Sequence, residues 1–421
     1  MKILHTADWH LGRRLYGYEL SDDHDAMLDE IIAIISTHRV DALIHAGDVF
    51  DSANPPHYAQ RQYYSFLSRA VDAGCPTIII TGGNHDSPAV LNAPRCLLER
   101  MNVYVIGSAL PAIEHEVVAI RSAQGNIVGY CCAVPFLRDR DLRFSLPGET
   151  EEERSRRIIE GIRQHYERCA DAAQHRMHAD GNQHVPLCTT GHLFAQGGIA
   201  SDNEEKEQIH IGNLGRVGAD TFPSTFSYVA LGHLHRAQKV AGRDTIRYSG
   251  SPLPLDFSER NDTKEVIIAE WNDGLSPTIT SIPLTTHRRL LRLSGTIEEI
   301  EHALRTYDAK AYRLQTLVEV RCSPESRGRK SIIDIHERMC EIAKDVHRGA
   351  VNVVHTAIDW KTDSSVSIDA MTTHDLQELE PLAVFERLMH RESLSDVTMQ
   401  EIRAAFVELL SDMHEQYEDI Q

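Results

Sequence analysis

No stretch of the 421 residues strings together the roughly 18 uncharged apolar positions that a membrane-spanning helix needs, so a membrane protein of the helical kind is excluded. The first residues, Met1–Ala7, carry no apolar core of signal-peptide length, and the chain reads as a cytoplasmic protein. Cysteine is present eight times without a single C-x-x-C pair, which excludes a disulfide scaffold and fits reduced thiols in the cytosol. Basic residues are short of acidic ones, 43 against 62, for a net charge of −19. A protein that holds nucleic acid by net charge is thereby excluded, and any DNA contact has to be local. Low-complexity tracts and internal repeats are missing, and 42% apolar residues rule out a disordered chain. At about 150 residues per domain, the length points to two or three domains. What is abundant is histidine, 24 residues of it, a common metal ligand and a base near neutral pH.

Short β-branched runs bounded by Gly, Asp or Asn predict strands at Lys2–Thr6, Ala42–Ala46, Thr77–Thr81 and Val103–Ile106. Between them, Asp23–His38, His57–Ala73 and Leu91–Met101 carry apolar residues at helical spacing, so crossover connections and a largely parallel sheet are expected. Further strands are predicted as far as Thr278–Leu284, interrupted by a charged helix at Glu151–His178. The reading is an α/β domain over 1–284, a small α+β domain over 285–360, a polar linker at 361–374 and a helical tail at 375–421. The tail holds twelve acidic and three basic residues, yet Leu382, Phe385, Leu388 and Met389 line one helical face and Met399, Ile402, Phe406, Leu409 and Met413 another.

Five apolar runs of the large domain end in a glycine-flanked Asp, Asn or His: Asp8-Trp9-His10, Gly47-Asp48, Gly83-Asn84-His85-Asp86, Gly191-His192 and Gly232-His233-Leu234-His235. Ligands of open α/β sheets collect at the carboxyl ends of strands, so five strand ends point at one site. In D-x-H and H-x-H the spacing of two puts both side chains on one side of an extended segment. Carboxylates and imidazoles clustered where apolar strands end need a compensating charge, and a divalent metal supplies it. Without thiolate, the set disfavours a structural zinc and suits Mn, Fe or Zn in an open catalytic site. Seven candidates, Asp8, His10, Asp48, Asn84, His192, His233 and His235, are too many for one ion and suit two, with Asp48 able to bridge. Two such ions stabilise the attacking and leaving oxygens of phosphoryl displacement, which makes a phosphoester the natural substrate.

These motifs, with GDVFD at Gly47–Asp51 and GHLHRAQ at Gly232–Gln238, resemble the calcineurin-like metallophosphoesterases and, more narrowly, the nuclease subunits of bacterial SbcCD complexes. Protein phosphatases of the superfamily differ where this chain has Ser52-Ala53 and Asp86; the doubled Gly82-Gly83 is a departure from the family loop. The resemblance implies a layered α-β-β-α phosphoesterase domain followed by a capping domain and a partner-binding tail. It assigns one metal to Asp8, His10, Asp48 and His235 and the other to Asp48, Asn84, His192 and His233. His85 would stabilise the transition state and protonate the leaving 3′ oxygen while water attacks phosphorus, and Asp51 would orient it. By the same resemblance the activity is Mn²⁺-dependent: 3′ to 5′ exonuclease action on duplex ends and endonuclease action on single strands and hairpins, in DNA repair, recombination and replication-associated cleavage. An SbcC-type ATPase would dock on the C-terminal helices, and a homodimer would pair the helices around Tyr58, Tyr63, Tyr64, Phe66, Leu67, Leu97, Leu98 and Met101 within a heterotetramer. Arg13 and Arg14, beside the first ligand pair, are the candidate DNA contacts. A stand-alone phosphodiesterase acting on a small nucleotide or lipid headgroup would share the metal site but has no use for the amphipathic tail.

Overall fold

The computed structural model describes residues 1–142, 150–195, 217–272, 274–309, 312–323, 331–358 and residue 406, for residue 151 the backbone alone. The predicted linker at 361–374 and the predicted helical tail, apart from one residue, lie outside the described residues.

Alternation decides the layering. Along Ala42–Ala46 and Thr77–Thr81 the side chains point to opposite faces in turn. Leu43, Ile78 and Ile80 meet Met27, Ile31, Tyr63 and Phe66 of the helices Ser21–His38 and His57–Asp72, while Ala42, Ile44 and Ile79 turn the other way. That other face meets a second sheet, and Ile3, Ile44, Ile79, Cys131, Cys188, Tyr228 and Ala230 form the core between the two. The outer face of the second sheet, with Tyr130, Cys132, Val229 and Leu231, is covered by Ile158, Ile162, Tyr166 and Ala173 of the helix Glu151–Ala179. Four layers result, α-β-β-α.

The first sheet runs in the order Thr278–Pro283, Glu265–Glu270, Lys2–Thr6, Ala42–Ala46, Thr77–Thr81, Val103–Ile106, its last four strands parallel. The second runs Gln238–Val240, Arg243–Tyr248, Tyr228–Gly232, Leu187–His192, Ile127–Cys132, Val117–Arg121, parallel through its middle four. The sequence reading placed all of these strands but the short Gln238–Val240, and the expected parallel pairing of the first four and the α-β-β-α layering are both found. A correction concerns Leu91–Met101, which is broken into Pro88–Asn92, Arg95–Leu98 and a 3₁₀ turn at Glu99–Met101. Pro94 lacks the N–H and crowds the carbonyl four residues back, so a continuous helix cannot pass it.

Beyond the sheets, three parallel strands, Leu290–Gly295, Thr316–Cys322 and Val351–Ile358, pack against helices Ile297–Thr306 and Ile332–His347 around Leu304, Val318, Val320 and Met339. Both helices start with a capping box, Thr296 with Glu299 and Ser331 with Asp334. Arg288 anchors this small unit: it is buried, its Nε donates to both oxygens of Asp23 at 2.8 and 2.9 Å, and its guanidinium stacks on Tyr18. The apolar surface on which the homodimer reading rested is largely spent internally, because Tyr63, Phe66, Leu67 and Leu98 are core residues; Leu97 remains exposed.

Candidate metal centre

All five loops leave the carboxyl ends of neighbouring strands, three from the first sheet and two from the second, so the sheet-on-sheet packing itself brings them together. The two sheets are stitched at this edge: His192 Nδ1 donates to the Ala46 carbonyl at 2.9 Å, and the His233 backbone N–H donates to Asp8 Oδ1 at 2.9 Å. Within the first sheet the Asp8 N–H donates to the Gly47 carbonyl (3.0 Å) and the His10 N–H to the Asp48 carbonyl (3.1 Å).

Four donor residues hold left-handed backbone: Asp8 (φ 53°), His10 (46°), Asp48 (56°) and His233 (103°). Such residues cost about 1–3 kcal/mol each and persist only where the surroundings over-determine them, as the cross-loop bonds do here. Two glycines are required by close approach. A Cβ on Gly47, itself at φ 90°, would enter the His192 ring, and one on Gly83 would enter the Asp48 carboxylate and backbone. Gly83, one of the doubled pair, therefore has a physical reason: only glycine lets the Asn84 loop lie against Asp48.

Asp48 is the hub. Its Oδ1 accepts the His85 N–H at 2.9 Å, and its Oδ2 lies 3.1 Å from His192 Nε2 and 3.7 Å from His10 Nε2. Donor atoms of Asp8, His10 and Asp48 all fall within 4.8 Å of one another. On the other side, Asn84 Oδ1 lies 2.9 Å from His192 Nε2 and 3.2 Å from His233 Nδ1. Asp8, His10, Asp48 and His192 are buried, whereas Asn84, His85, His233 and His235 are half-buried, so the centre opens to solvent on the latter side.

The charges ask for a cation. Burial pushes the Asp8 carboxyl up to about 7, against the pull of His192 and His235. Burial would lower His192, but Asp48 and Asp8 hold it up at about 9; among the protein's own groups an imidazolium is what balances the two carboxylates. His10, lowered to about 4 by burial, is a neutral imidazole at pH 7 with both ring nitrogens buried and outside hydrogen-bond geometry. A neutral imidazole beside two buried carboxylates is the donor set that divalent cations take.

The structure brings all seven predicted ligands and His85 into this one site. The His85 ring packs edge-on against His10 with centroids 4.8 Å apart, and its Nδ1 lies 3.0 Å from the Asp51 backbone carbonyl. Asp51 thus reaches His85 through its main chain. Its carboxylate goes elsewhere, to Arg13 Nη1 at 3.0 Å and beside His10 Nδ1 at 3.3 Å, and these partners outweigh burial to hold it at about 2. Arg13 is committed to that pair, while Arg14 sits exposed on the hairpin Arg14–Leu15/Tyr18–Glu19, paired with Glu19.

Sequence reasoning missed two supporting carboxylates. Asp86, in a quoted motif but given no role, accepts the backbone N–H groups of Val49 (3.0 Å), Phe50 (2.9 Å) and Gly83 (2.9 Å), locking the second loop to the third. Glu259 carries no motif at all. Its Oε1 takes His235 Nδ1 at 3.0 Å and its Oε2 takes buried Lys264 at 2.5 Å, an arrangement that fixes the His235 ring and turns Nε2 toward the centre. Burial would raise Glu259, and Lys264 with His235 overcomes it, so its carboxyl sits well below the carboxylate range. With the folded pKa depressed, the stability Glu259 contributes is present above its unfolded pKa of about 4 and is lost as pH falls below that. Glu259→Gln is expected to weaken metal binding about 10–100-fold in calorimetric titration. It should also lower the melting temperature at pH 7, with the gap to the parent protein closing as the pH is lowered below about 4.

The family model described as calcineurin-like phosphoesterase matches residues 1–140. The SbcD subunit of the nuclease SbcCD from Escherichia coli (strain K12) is 36% identical over 301 residues, 71% of this chain and 72% of that protein. The corresponding subunits of nuclease SbcCD from Rhodobacter capsulatus and Bacillus subtilis (strain 168) are 36% identical over 70% of this chain and 71% of theirs, and 33% identical over 69% and 72%. Divalent-metal donors at the ends of five strands, on a phosphoesterase fold shared with these nucleases over more than two thirds of their length, leave one conclusion: the chain belongs to the SbcD nuclease family, calcineurin-like phosphoesterases that hydrolyse phosphodiester bonds.

Proposed function

We propose that the chain is a Mn²⁺-dependent DNA nuclease, trimming duplex ends 3′ to 5′ and cutting single strands and hairpins, which works in the cytoplasm with an SbcC-type ATPase in DNA repair, recombination and replication-associated cleavage. The observation that supports the reading is the buried Asp48 carboxylate, whose Oδ2 stands between His10 and His192, one from each proposed ligand set. Asp8, His10, Asp48 and His235 would hold one ion, and Asp48, Asn84, His192 and His233 the second. Bound there, two divalent ions stabilise the charge that develops on the attacking and leaving oxygens at phosphorus.

The chain's own groups do the rest. His85, on the open side of the centre, faces the substrate and gives a proton to the leaving 3′ oxygen, its ring oriented by the Asp51 carbonyl. Arg14, paired with Glu19 on an exposed hairpin, is more accessible to a DNA phosphate than Arg13, which is half-buried and tied to Asp51. A second copy of the chain, meeting through the face that bears exposed Leu97, would set two centres against one DNA end.

The test is a digest of end-labelled duplex DNA in Mn²⁺ with and without the ATPase; a protein that cleaves small phosphodiesters but no DNA under either condition overturns the reading. Deleting Asp375–Gln421, whose apolar stripe needs a partner groove, is expected to leave Mn²⁺-dependent cutting of short single strands intact. The same deletion should abolish co-purification with the ATPase and ATP stimulation on duplex ends. If the truncated protein co-purifies at full stoichiometry, docking belongs to the small domain at 285–360.

A further inference from the structure

Remote from the catalytic loops, on the outer face of the second sheet, a second group of metal-binding side chains is buried. His165 and Cys169 stand one turn apart on the inward face of the helix Glu151–Ala179, the i, i+4 spacing that aims two side chains at one point. Glu116, at the end of the turn Ile113–Glu116, faces them: its Oε2 lies 2.8 Å from His165 Nε2 and 3.5 Å from Cys169 Sγ. All three donor atoms fall within 4.8 Å of one another, and all three residues are buried. Cys132, the last residue of its strand, borders the group, its thiol donating to the Cys169 carbonyl at 3.4 Å. The other oxygen of Glu116 is held by the Leu110 N–H at 2.7 Å, as a ligand carboxylate is held by its outer shell.

We propose that Glu116, His165 and Cys169 form a buried zinc site separate from the catalytic centre. Nitrogen, oxygen and sulfur are all donors that zinc takes, and tetrahedral zinc sets separations of about 3.3–3.6 Å among them. The Cys169–Glu116 pair already has that spacing, and His165 needs to withdraw by roughly half an ångström. Zinc takes Cys169 as the thiolate and His165 as the neutral imidazole, and the displaced protons go to solvent. The site bears on the nuclease centre through the neighbouring Tyr166, whose hydroxyl donates to the Thr190 carbonyl at 3.1 Å, two residues before His192.

Cobalt distinguishes this site from the catalytic one, because only here is a thiolate a ligand. The full chain carrying Asp48→Ala, which disables the catalytic pair, is titrated with Co²⁺ and read for the sulfur-to-cobalt charge-transfer band in the near ultraviolet. A saturable band, abolished by adding Cys169→Ser and displaced by Zn²⁺ with a rise in melting temperature, is the expected result. Absence of the band in the Asp48→Ala protein, or its persistence after Cys169→Ser, overturns the proposal and leaves a hydrogen-bonded Glu116–His165 pair. Should Cys169→Ser fail to fold, His165→Gln serves in its place: it is expected to shift the band and weaken cobalt binding at least tenfold, and an unchanged titration overturns the site.

Discussion

Asp48→Ala is expected to lose at least about 10³-fold in Mn²⁺-dependent DNA cleavage, since removing the one carboxylate that both proposed ion sites share costs several kcal/mol of transition-state stabilisation. The geometry makes the loss larger than that of a single ligand. Oδ1 positions His85 through its N–H, and Oδ2 faces His192 and His10, so one truncation unties three side chains from three strands. The fold itself should survive. Asp48 sits in a loop beyond the strand Ala42–Ala46, whose pairing with its neighbours is backbone hydrogen bonding, and Asp86 continues to hold the Val49, Phe50 and Gly83 amides. Initial rates on a labelled oligonucleotide, beside a thermal melt of the same sample, make the measurement. More than about a tenth of the parent activity, with an unchanged melt, would remove Asp48 from the shared position.

The donors were legible in sequence because they cluster just after apolar runs, with Asp48, Asn84, His192 and His233 each directly following a glycine, and both features are local. Gly47 shows why the second feature exists: its missing side chain is the space that the His192 ring occupies, from a strand of the other sheet. The partition of strands between two sheets was not legible, since Ile44 and Ile79 look the same in sequence whether they meet a helix or a second sheet. Glu259 was out of reach for a related reason. It lies 24 residues after His235 on a 3₁₀ turn, and what marks it is a hydrogen bond and a buried Lys264, neither of which has a spacing. Asp86 was in plain sight, yet an acceptor of three amides from two loops reads like any loop aspartate until the loops are seen to touch. The pair His165 and Cys169 did carry a local signal, the i, i+4 step on a helix, but Glu116 is contributed from another element and no spacing rule links them.

His85→Ala should separate chemistry from metal binding. Both proposed ion sites draw their ligands from other side chains, and the His85 Nδ1 is engaged by the Asp51 carbonyl. His85 is half-buried at the open side of the centre, where the proposed role puts its ring against substrate. A proton donor to a leaving oxygen contributes about 10²–10⁴ in rate, so kcat is expected to fall by that factor with little change in DNA affinity. Elemental analysis of the purified variant is expected to match the parent in metal per chain. A ligand would behave in the opposite way: His192→Ala, which removes the ring poised between Asp48 and Asn84, should lose bound metal along with activity. If His85→Ala also loses a metal ion, His85 belongs among the ligands, and the proton for the 3′ oxygen has to come from another group at the open side of the centre. His233 and His235 are the half-buried imidazoles there to be tested next by the same pairing of rate and metal content.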